Sequence, residues 1–165
     1  MKNILLVDDH RLLRQAVKRA LIEAGFNIVG EASDGEEGVN LVNELSPEIV
    51  ILDITMPVMD GLTALKIIKK SKPDTKVIML TMHGESSVVS QAISLGASGF
   101  ITKDVPMSEV IDLVARIADG QIMSSEIAQR LLESSKVTDD AVIYNVGSQS
   151  NENIDNDLLT KREIE

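Results

Sequence analysis

The sequence predicts an α/β fold in which a doubly wound, five-stranded parallel sheet carries helices on both faces. Five short, largely aliphatic runs alternate with five stretches in which apolar residues recur at helical spacing. Most of the runs are hardly interrupted by polar residues, as is typical of strands that are covered on both faces. Strands and helices that alternate along a chain are joined by right-handed crossovers, which place helices on both sides of a parallel sheet.

The predicted strands lie at residues 4–7, 28–32, 49–52, 77–80 and 99–101. A stretch of helical periodicity follows each strand, and its apolar positions fall at 12–24, then at Val39, Val42 and Leu45, at Leu62, Leu65 and Ile68, at Val88, Val89, Ala92 and Ile93, and at Val110, Leu113, Val114 and Ile117. Gly25, Gly96 and Gly120 follow the last periodic residue of three of these stretches, where a left-handed residue commonly ends a helix.

Composition restricts the class of protein. The 165 residues are 44% hydrophobic and 25% charged, which is ordinary for one globular domain with a tail. No apolar run approaches the roughly 20 residues that cross a bilayer, and the apolar stretch near the N-terminus is too short for a signal peptide. A cytoplasmic location without membrane contact is therefore expected, and the absence of cysteine fits it. The net charge of −10 argues against a nucleic-acid-binding surface within these residues.

The chain after residue 120 changes character. Residues 121–134 predict a short additional helix, and residues 135–157 have the Ser, Asn and Asp content of a solvated linker. Residues 158–165 turn helical again, because Thr160 and Glu163 have the spacing of a capping box. The first domain is accordingly expected to span residues 1–120.

Five polar residues are predicted to stand at the carboxyl ends of strands. Asp8 and Asp9 follow the first strand and Asp53 the third, while Thr81 follows the fourth and Lys103 the fifth. Ligands bind at this edge of a doubly wound sheet. Three carboxylates brought together repel one another, and a hard divalent cation such as Mg²⁺ relieves that repulsion. A carboxylate can also attack phosphorus, while a hydroxyl and an ammonium bind phosphoryl oxygens.

Each of these residues also has an ordinary interpretation. A single Asp at a strand end is more often a helix N-cap, a lone Thr a turn hydroxyl, and a lone Lys a solvated loop charge. Their joint occurrence at the ends of four strands, in an order that brings them to one edge, favours phosphoryl transfer onto the protein.

Four motifs follow one another along the chain: LLVDDH at 5–10, ILDITMPVMDG at 51–61, MLTMH at 79–83 and GFITKD at 99–104. With them, residues 1 to about 120 resemble the receiver domain of bacterial two-component response regulators. The resemblance implies a flavodoxin-like sheet with strand order 2-1-3-4-5. It implies that Asp53 is the phosphoacceptor, and that Asp8, Asp9, Asp53 and the backbone carbonyl of Thr55 hold Mg²⁺.

The same resemblance implies a switch. Thr81 and Lys103 contact the phosphoryl group, and Thr81 is coupled to Phe100 on the fifth strand. A phosphoryl group adds charge and strong acceptors, which can draw Thr81 inward and vacate space for Phe100. Two departures from the family pattern are the bulky Met82 after Thr81, which bears on phosphoryl access, and Asp104, which stands where many receivers have proline.

The tail carries a second resemblance. The helix at 121–134, the linker and LLTKREIE at 158–165 are similar to NarL/FixJ regulators with a LuxR-type output. This implies that the given residues stop at the start of a helix-turn-helix domain. The partners then implied are a sensor histidine kinase, DNA through the domain that would follow, and a second copy after phosphorylation.

The function predicted is thus a phosphoacceptor switch rather than an enzyme. It accepts a phosphoryl group from a histidine kinase on Asp53 with Mg²⁺ and controls transcription. One alternative is a stand-alone receiver that acts through protein contacts. A Mg²⁺-dependent phosphohydrolase is a weaker alternative. Phosphatases with an aspartate nucleophile have a second Asp two residues later as general acid, and this position is Thr55, which cannot serve. No phosphate-binding glycine loop follows any strand, which excludes a nucleotide-binding reading.

Overall fold

The computed structural model describes residues 2–82 and 86–120, and within them five strands alternate with five helices. In chain order the elements are β1 Asn3–Val7, α1 Arg11–Glu23, β2 Asn27–Ala32, α2 Gly35–Leu45, β3 Ile49–Asp53, α3 Gly61–Ser71, β4 Lys76–Thr81, α4 Ser86–Ser94, β5 Gly99–Thr102 and α5 Met107–Ala118. The predicted sixth helix, linker and tail, at 121–165, lie outside the described residues.

The five strands form one parallel sheet in the order β2-β1-β3-β4-β5. The predicted fold class and strand order are therefore confirmed. All five predicted strands are present with small differences at their ends, and two of these differences matter for the site. Asp53 and Thr81 are the last residues of β3 and β4 rather than the first residues after them.

Two aliphatic cores cover the two faces of the sheet. Side chains alternate along a strand, so in β3 Val50 and Leu52 join the core beneath α2, α3 and α4, while Ile49 and Ile51 join the core beneath α1 and α5. Phe100 packs in the first of these cores and is 1% exposed. Strands buried on both faces explain why their sequences read as uninterrupted aliphatic runs.

Side-chain caps begin two of the helices, and glycines end three of them. Asp34 and Asp60 cap α2 and α3, each accepting a backbone N–H from three residues ahead at 2.8 Å. Gly25, Gly96 and Gly120 adopt left-handed conformations at the ends of α1, α4 and α5, as predicted.

Two further backbone features bear on the expectations. The described residues contain no cis peptide bond, so the chain after Lys103 is trans. Among the same residues, no helix has both the length and the apolar character that crossing a membrane requires.

Candidate functional site

The paired ends of β1 and β3 bring two carboxylates together. Val7 lies opposite Leu52 in the register, so the residues that follow them, Asp8 just after β1 and Asp53 at the end of β3, stand side by side. Both are buried, with Asp8 4% and Asp53 2% exposed. Asp9 follows Asp8 and is exposed at the mouth of the site. The structure thus unites the three predicted acidic residues at one edge of the sheet.

Lys103 reaches this pair from the far side of β4. Its side chain is 4% exposed, and its Nζ lies 3.0 Å from Asp53 Oδ2 and 3.3 Å from Asp8 Oδ1. The backbone N–H of Lys103 donates to the carbonyl of Thr81 at 2.6 Å, which extends the β4–β5 ladder by one residue. This anchor fixes the start of a long side chain whose end ion-pairs with two carboxylates.

His10 is a member of the cluster that the sequence reasoning missed. Its Nδ1 lies 2.8 Å from Lys103 Nζ, 3.3 Å from Asp8 Oδ1 and 3.4 Å from Asp9 Oδ1. The imidazole is half exposed, and its own backbone N–H donates to Asp8 Oδ1 at 2.8 Å. A histidine directly after two clustered aspartates was the available signal, since the backbone turn that follows β1 folds it back over them.

The electrostatics of the site disfavour two ionised carboxylates. The pKa of Asp53 is raised to about 7, chiefly because the carboxyl is buried and next because of the charge of Asp8, while Lys103 opposes both effects. Asp8 Oδ2 and Asp53 Oδ2 have no hydrogen-bond partner, although the latter faces the Lys103 ammonium in an ion pair. Buried oxygens without donors are favourable positions for a cation.

A half-buried ion pair between Arg14 and Glu31 fixes the backbone of Asp8. Arg14 of α1 donates through Nη1 to the carbonyl of Asp8 at 2.6 Å and through Nε to Glu31 of β2 at 2.9 Å. Lys18 completes the pairing of Glu31 at 2.8 Å. The pKa of Glu31 is lowered, chiefly by its hydrogen bond from Lys18 and also by Arg14. The edge strand β2 is thereby tied to the loop that carries the acidic residues.

Gly61 explains how helix α3 approaches the phosphoacceptor candidate so closely. A Cβ at this position would collide with the backbone carbonyl of Asp53, and the Gly61 N–H donates to the carbonyl of Ile54 at 2.6 Å. A larger residue there must displace either the end of β3 or the start of α3. The motif containing Gly61 was recognised in the sequence, but this contact depends on how the two elements pack.

The remaining predicted residues lie around the carboxylates. Thr81 ends β4 one register position beyond Leu80, the partner of Asp53, and is 6% exposed. Thr55 is exposed in the loop after β3. Phe100 is not in the cluster: it pairs with Met79 and packs into the core next to α4. By strand alternation, Thr81 shares the Phe100 face of the sheet, whereas Asp53 faces the α1 and α5 side.

The donor set fits a hard divalent cation. Ligand atoms of Asp8, Asp9, His10 and Asp53 all lie within 4.8 Å of one another. Three carboxylates supply oxygens that Mg²⁺ prefers, and the exposed Asp9 leaves one side of the cluster open for water or a phosphate oxygen. A bound cation would also offset the charge of Asp8, which together with burial raises the Asp53 pKa.

Fold and site together define a class: a doubly wound α/β domain with an acidic cation pocket at the carboxyl edge of its sheet. The family model of the response regulator receiver domain matches residues 4–115. The chain belongs to this family, whose members are signalling switches rather than enzymes of the usual kind.

Individual relatives carry regulator names. The chain is 38% identical over 133 residues to the response regulator UvrY of Escherichia coli K12. This alignment covers 79% of this chain and 61% of UvrY. A LuxR-family response regulator from Aurantimonas has TM-score 0.72 and 34% identity, over 83% of this chain and 99% of that one. The receiver domain of NarL from Mycobacterium tuberculosis matches with a TM-score of 0.69 and 35% identity, over 73% of this chain and 98% of that one. The chain thus spans about 61% of the length of UvrY.

Proposed function

We propose that this receiver accepts a phosphoryl group on Asp53 from a sensor histidine kinase, with Mg²⁺ as cofactor, and thereby switches a transcriptional output. The observation that carries the proposal is the pairing of a buried carboxylate with a buried ammonium. Asp53 Oδ2 lies 3.0 Å from Lys103 Nζ and beside a second buried carboxylate, Asp8. Such a pair supplies a nucleophile and a cation for the charge that a phosphoryl group brings.

In the chemical step, a carboxylate oxygen of Asp53 forms a bond to phosphorus while the bond from phosphorus to the donor's nitrogen or oxygen breaks. The electron pair of the broken bond leaves with the donor. Lys103 pairs with the transferred group, because its side chain already reaches Asp53. Asp8, Asp9, Asp53 and the Thr55 carbonyl would hold Mg²⁺, which when bound would supply charge neutralisation.

The proposed switch runs through the β4–β5 pair. The Thr81 carbonyl is bonded to the Lys103 N–H at 2.6 Å, so a phosphoryl group that attracts both side chains acts on two bonded residues. Phe100 is buried in the core next to α4, so in the proposed switch it responds to Thr81 from within that core. A change at Thr81 then alters the surface of α4 and β5.

The wider assignments rest on the regulator relatives. We propose that residues 1–120 are the receiver, 121–134 an additional helix and 135–157 a linker, with 158–165 opening a DNA-binding helix-turn-helix domain. UvrY and the Aurantimonas protein are regulators by name, and the second is of the LuxR family. Homodimerisation on phosphorylation and a cytoplasmic location complete the proposal.

Intact-mass measurement after incubation with acetyl phosphate and Mg²⁺ tests this function. We expect one added phosphoryl group on the unmodified chain and none on the Asp53→Asn variant, with circular dichroism confirming that the variant is folded. Continued turnover of a phosphate monoester, with no stable mass increase, would instead support a phosphohydrolase. Phosphorylation of Asp53→Asn to the same extent would refute the assignment.

A further inference from the structure

We infer that His10 gives the acidic pocket a nitrogen ligand, so that the site binds a borderline divalent metal such as Zn²⁺ or Co²⁺ through His10 Nδ1 as well as through carboxylates. The inference rests on the proposed cation site but goes beyond Mg²⁺. It assigns to His10 a selectivity among metals that the carboxylates alone do not provide.

The first step concerns the direction of the lone pair. Lys103 Nζ lies 2.8 Å from His10 Nδ1, closer than it lies to either Asp53 or Asp8. An ammonium has hydrogens to donate and no lone pair, and an imidazole nitrogen can accept such a hydrogen bond. His10 Nδ1 thus lies directly against the cation that occupies the pocket.

The second step concerns the position of that cation. The Lys103 ammonium contacts one atom each of His10, Asp8 and Asp53, and it acts as a monovalent stand-in at their meeting point. A divalent ion brings twice the charge to the same oxygens. Asp8 Oδ2 and Asp53 Oδ2 both lack a hydrogen-bond partner, which leaves buried acceptors available when the ammonium moves away.

The third step concerns spacing. His10 Nδ1 lies 3.3 Å from Asp8 Oδ1 and 3.4 Å from Asp9 Oδ1. Donor atoms on neighbouring vertices of a tetrahedron with bonds of about 2.0 to 2.1 Å are about 3.3 to 3.4 Å apart, the arrangement that Zn²⁺ prefers with His and carboxylate ligands. His10 Nδ1 is thus separated from each of the two carboxylate oxygens as two ligands of one small ion are.

Ligand chemistry then determines which metals bind more tightly because of His10. Mg²⁺ is bound almost entirely through oxygen, whereas imidazole nitrogen favours Co²⁺, Ni²⁺ and Zn²⁺. His10 therefore raises the affinity for the second group and adds little for the first.

Co²⁺ titration of the whole chain tests the inference, because Co²⁺ reports its ligands through visible absorption. We expect a saturable absorption band in the unmodified chain and a loss of affinity of about tenfold or more in His10→Ala. Mg²⁺ affinity, measured by calorimetry on the same two proteins, should change by less than about threefold. The split between the two metals is the predicted result.

The chain offers a matched control because it contains two histidines and no cysteine. His83→Ala should leave the Co²⁺ band in place. An unchanged Co²⁺ affinity in His10→Ala, an equal loss in His83→Ala, or a parallel loss of Mg²⁺ affinity in His10→Ala would each overturn the inference.

The titration involves no phosphoryl transfer, so its outcome is separable from the proposed function. If Asp53 takes no phosphoryl group while His10→Ala shows the metal split, the proposed function is wrong and the metal inference stands. If phosphorylation with Mg²⁺ proceeds and the metal split is absent, the reverse holds.

Discussion

The middle of each strand and its carboxyl end are built on opposite principles. In β3, Val50 and Leu52 are fully buried among aliphatic side chains. One residue further, Asp53 is buried just as deeply but stands beside Asp8, and the two carboxylates share the single ammonium of Lys103. Apolar burial stabilises the fold, whereas burial of two neighbouring carboxylates costs free energy.

The loops at the carboxyl edge show the same contrast. Val58 has a left-handed backbone, which a β-branched residue rarely adopts, and it is 73% exposed. Leu12 and Met82, also near this edge in sequence, are exposed apolar residues. A strained valine, carboxylate repulsion and exposed apolar side chains thus occur near the chemistry, and the aliphatic strands below supply the stability that tolerates them.

Leu52→Ala, in the aliphatic core, should give the largest change in the free energy of unfolding. The side chain is completely buried, so its truncation is expected to lower the free energy of unfolding by about 3 kcal/mol through lost burial and a residual cavity. Urea denaturation followed by circular dichroism measures this. A loss below about 1 kcal/mol would show that the core around β3 is loosely packed.

Asp53→Asn, at the next residue, should act in the opposite direction and raise the free energy of unfolding by about 1 to 3 kcal/mol in metal-free buffer, because the ionised carboxyl is disfavoured in the fold. The pKa of Asp53 is raised to about 7 in the fold. The unfolded chain therefore ionises first as pH rises, and the cost of the carboxyl is fully present only above the folded value.

The gain from Asp53→Asn should consequently be larger at about pH 8 than at about pH 5, as denaturation in the presence of a chelator would show. Saturating Mg²⁺ should reduce the difference between the two proteins, because a cation relieves the repulsion only in the chain that has it. A variant less stable than the original at pH 8 would contradict this account of the site.

Val58→Asn tests whether backbone strain is also stored at this edge. Asparagine adopts the left-handed conformation more readily than valine, so the free energy of unfolding should rise by about 1 kcal/mol. Thermal melting of both proteins measures the change, with Val58→Ala as the control that removes the branched side chain but keeps a residue disfavoured at positive φ. Destabilisation by Asn would mean that the exposed valine makes a stabilising contact.

Glu31→Gln should give the smallest change in the free energy of unfolding. It compares the ion-paired carboxylate of Glu31 with the repelling carboxylates of the site. The pKa of Glu31 is lowered by Lys18 and Arg14, so its ionised form stabilises the fold above the unfolded value and that stabilisation is lost as pH falls through the lowered folded value. The variant should lose about 0.5 to 1 kcal/mol at neutral pH and nothing in acid. A difference that persists below about pH 3 would have another cause.

The sequence was sufficient for the sheet because its two determinants are local. Aliphatic runs such as those around Leu5 and Ile51 mark strands buried on both faces, and the glycines that end α1, α4 and α5 are visible as residues. Strand order does not follow from these patterns. It came from the resemblance to receiver domains, and the pairing of β1 with both β2 and β3 confirms it.

The site was predictable only as far as strand ends determine it. Asp8, Asp53 and Lys103 meet because parallel strands end at one edge and because their side chains share one face of the sheet. The contribution of His10 depends on how the loop after β1 folds back, and the role of Gly61 depends on how α3 packs against Asp53. Neither contact leaves a spacing rule in the sequence.

Chemical mapping of the phosphorylated residue tests the central claim most directly. An aspartyl phosphate is reduced by borohydride to homoserine, so the chain would be incubated with acetyl phosphate, with Mg²⁺ or with a chelator, then reduced, digested and sequenced by mass spectrometry. Homoserine at position 53 in the Mg²⁺ sample alone is the predicted result. Homoserine at position 8 or 9, a phosphoryl group on His10, or equal labelling in the chelator would contradict the account.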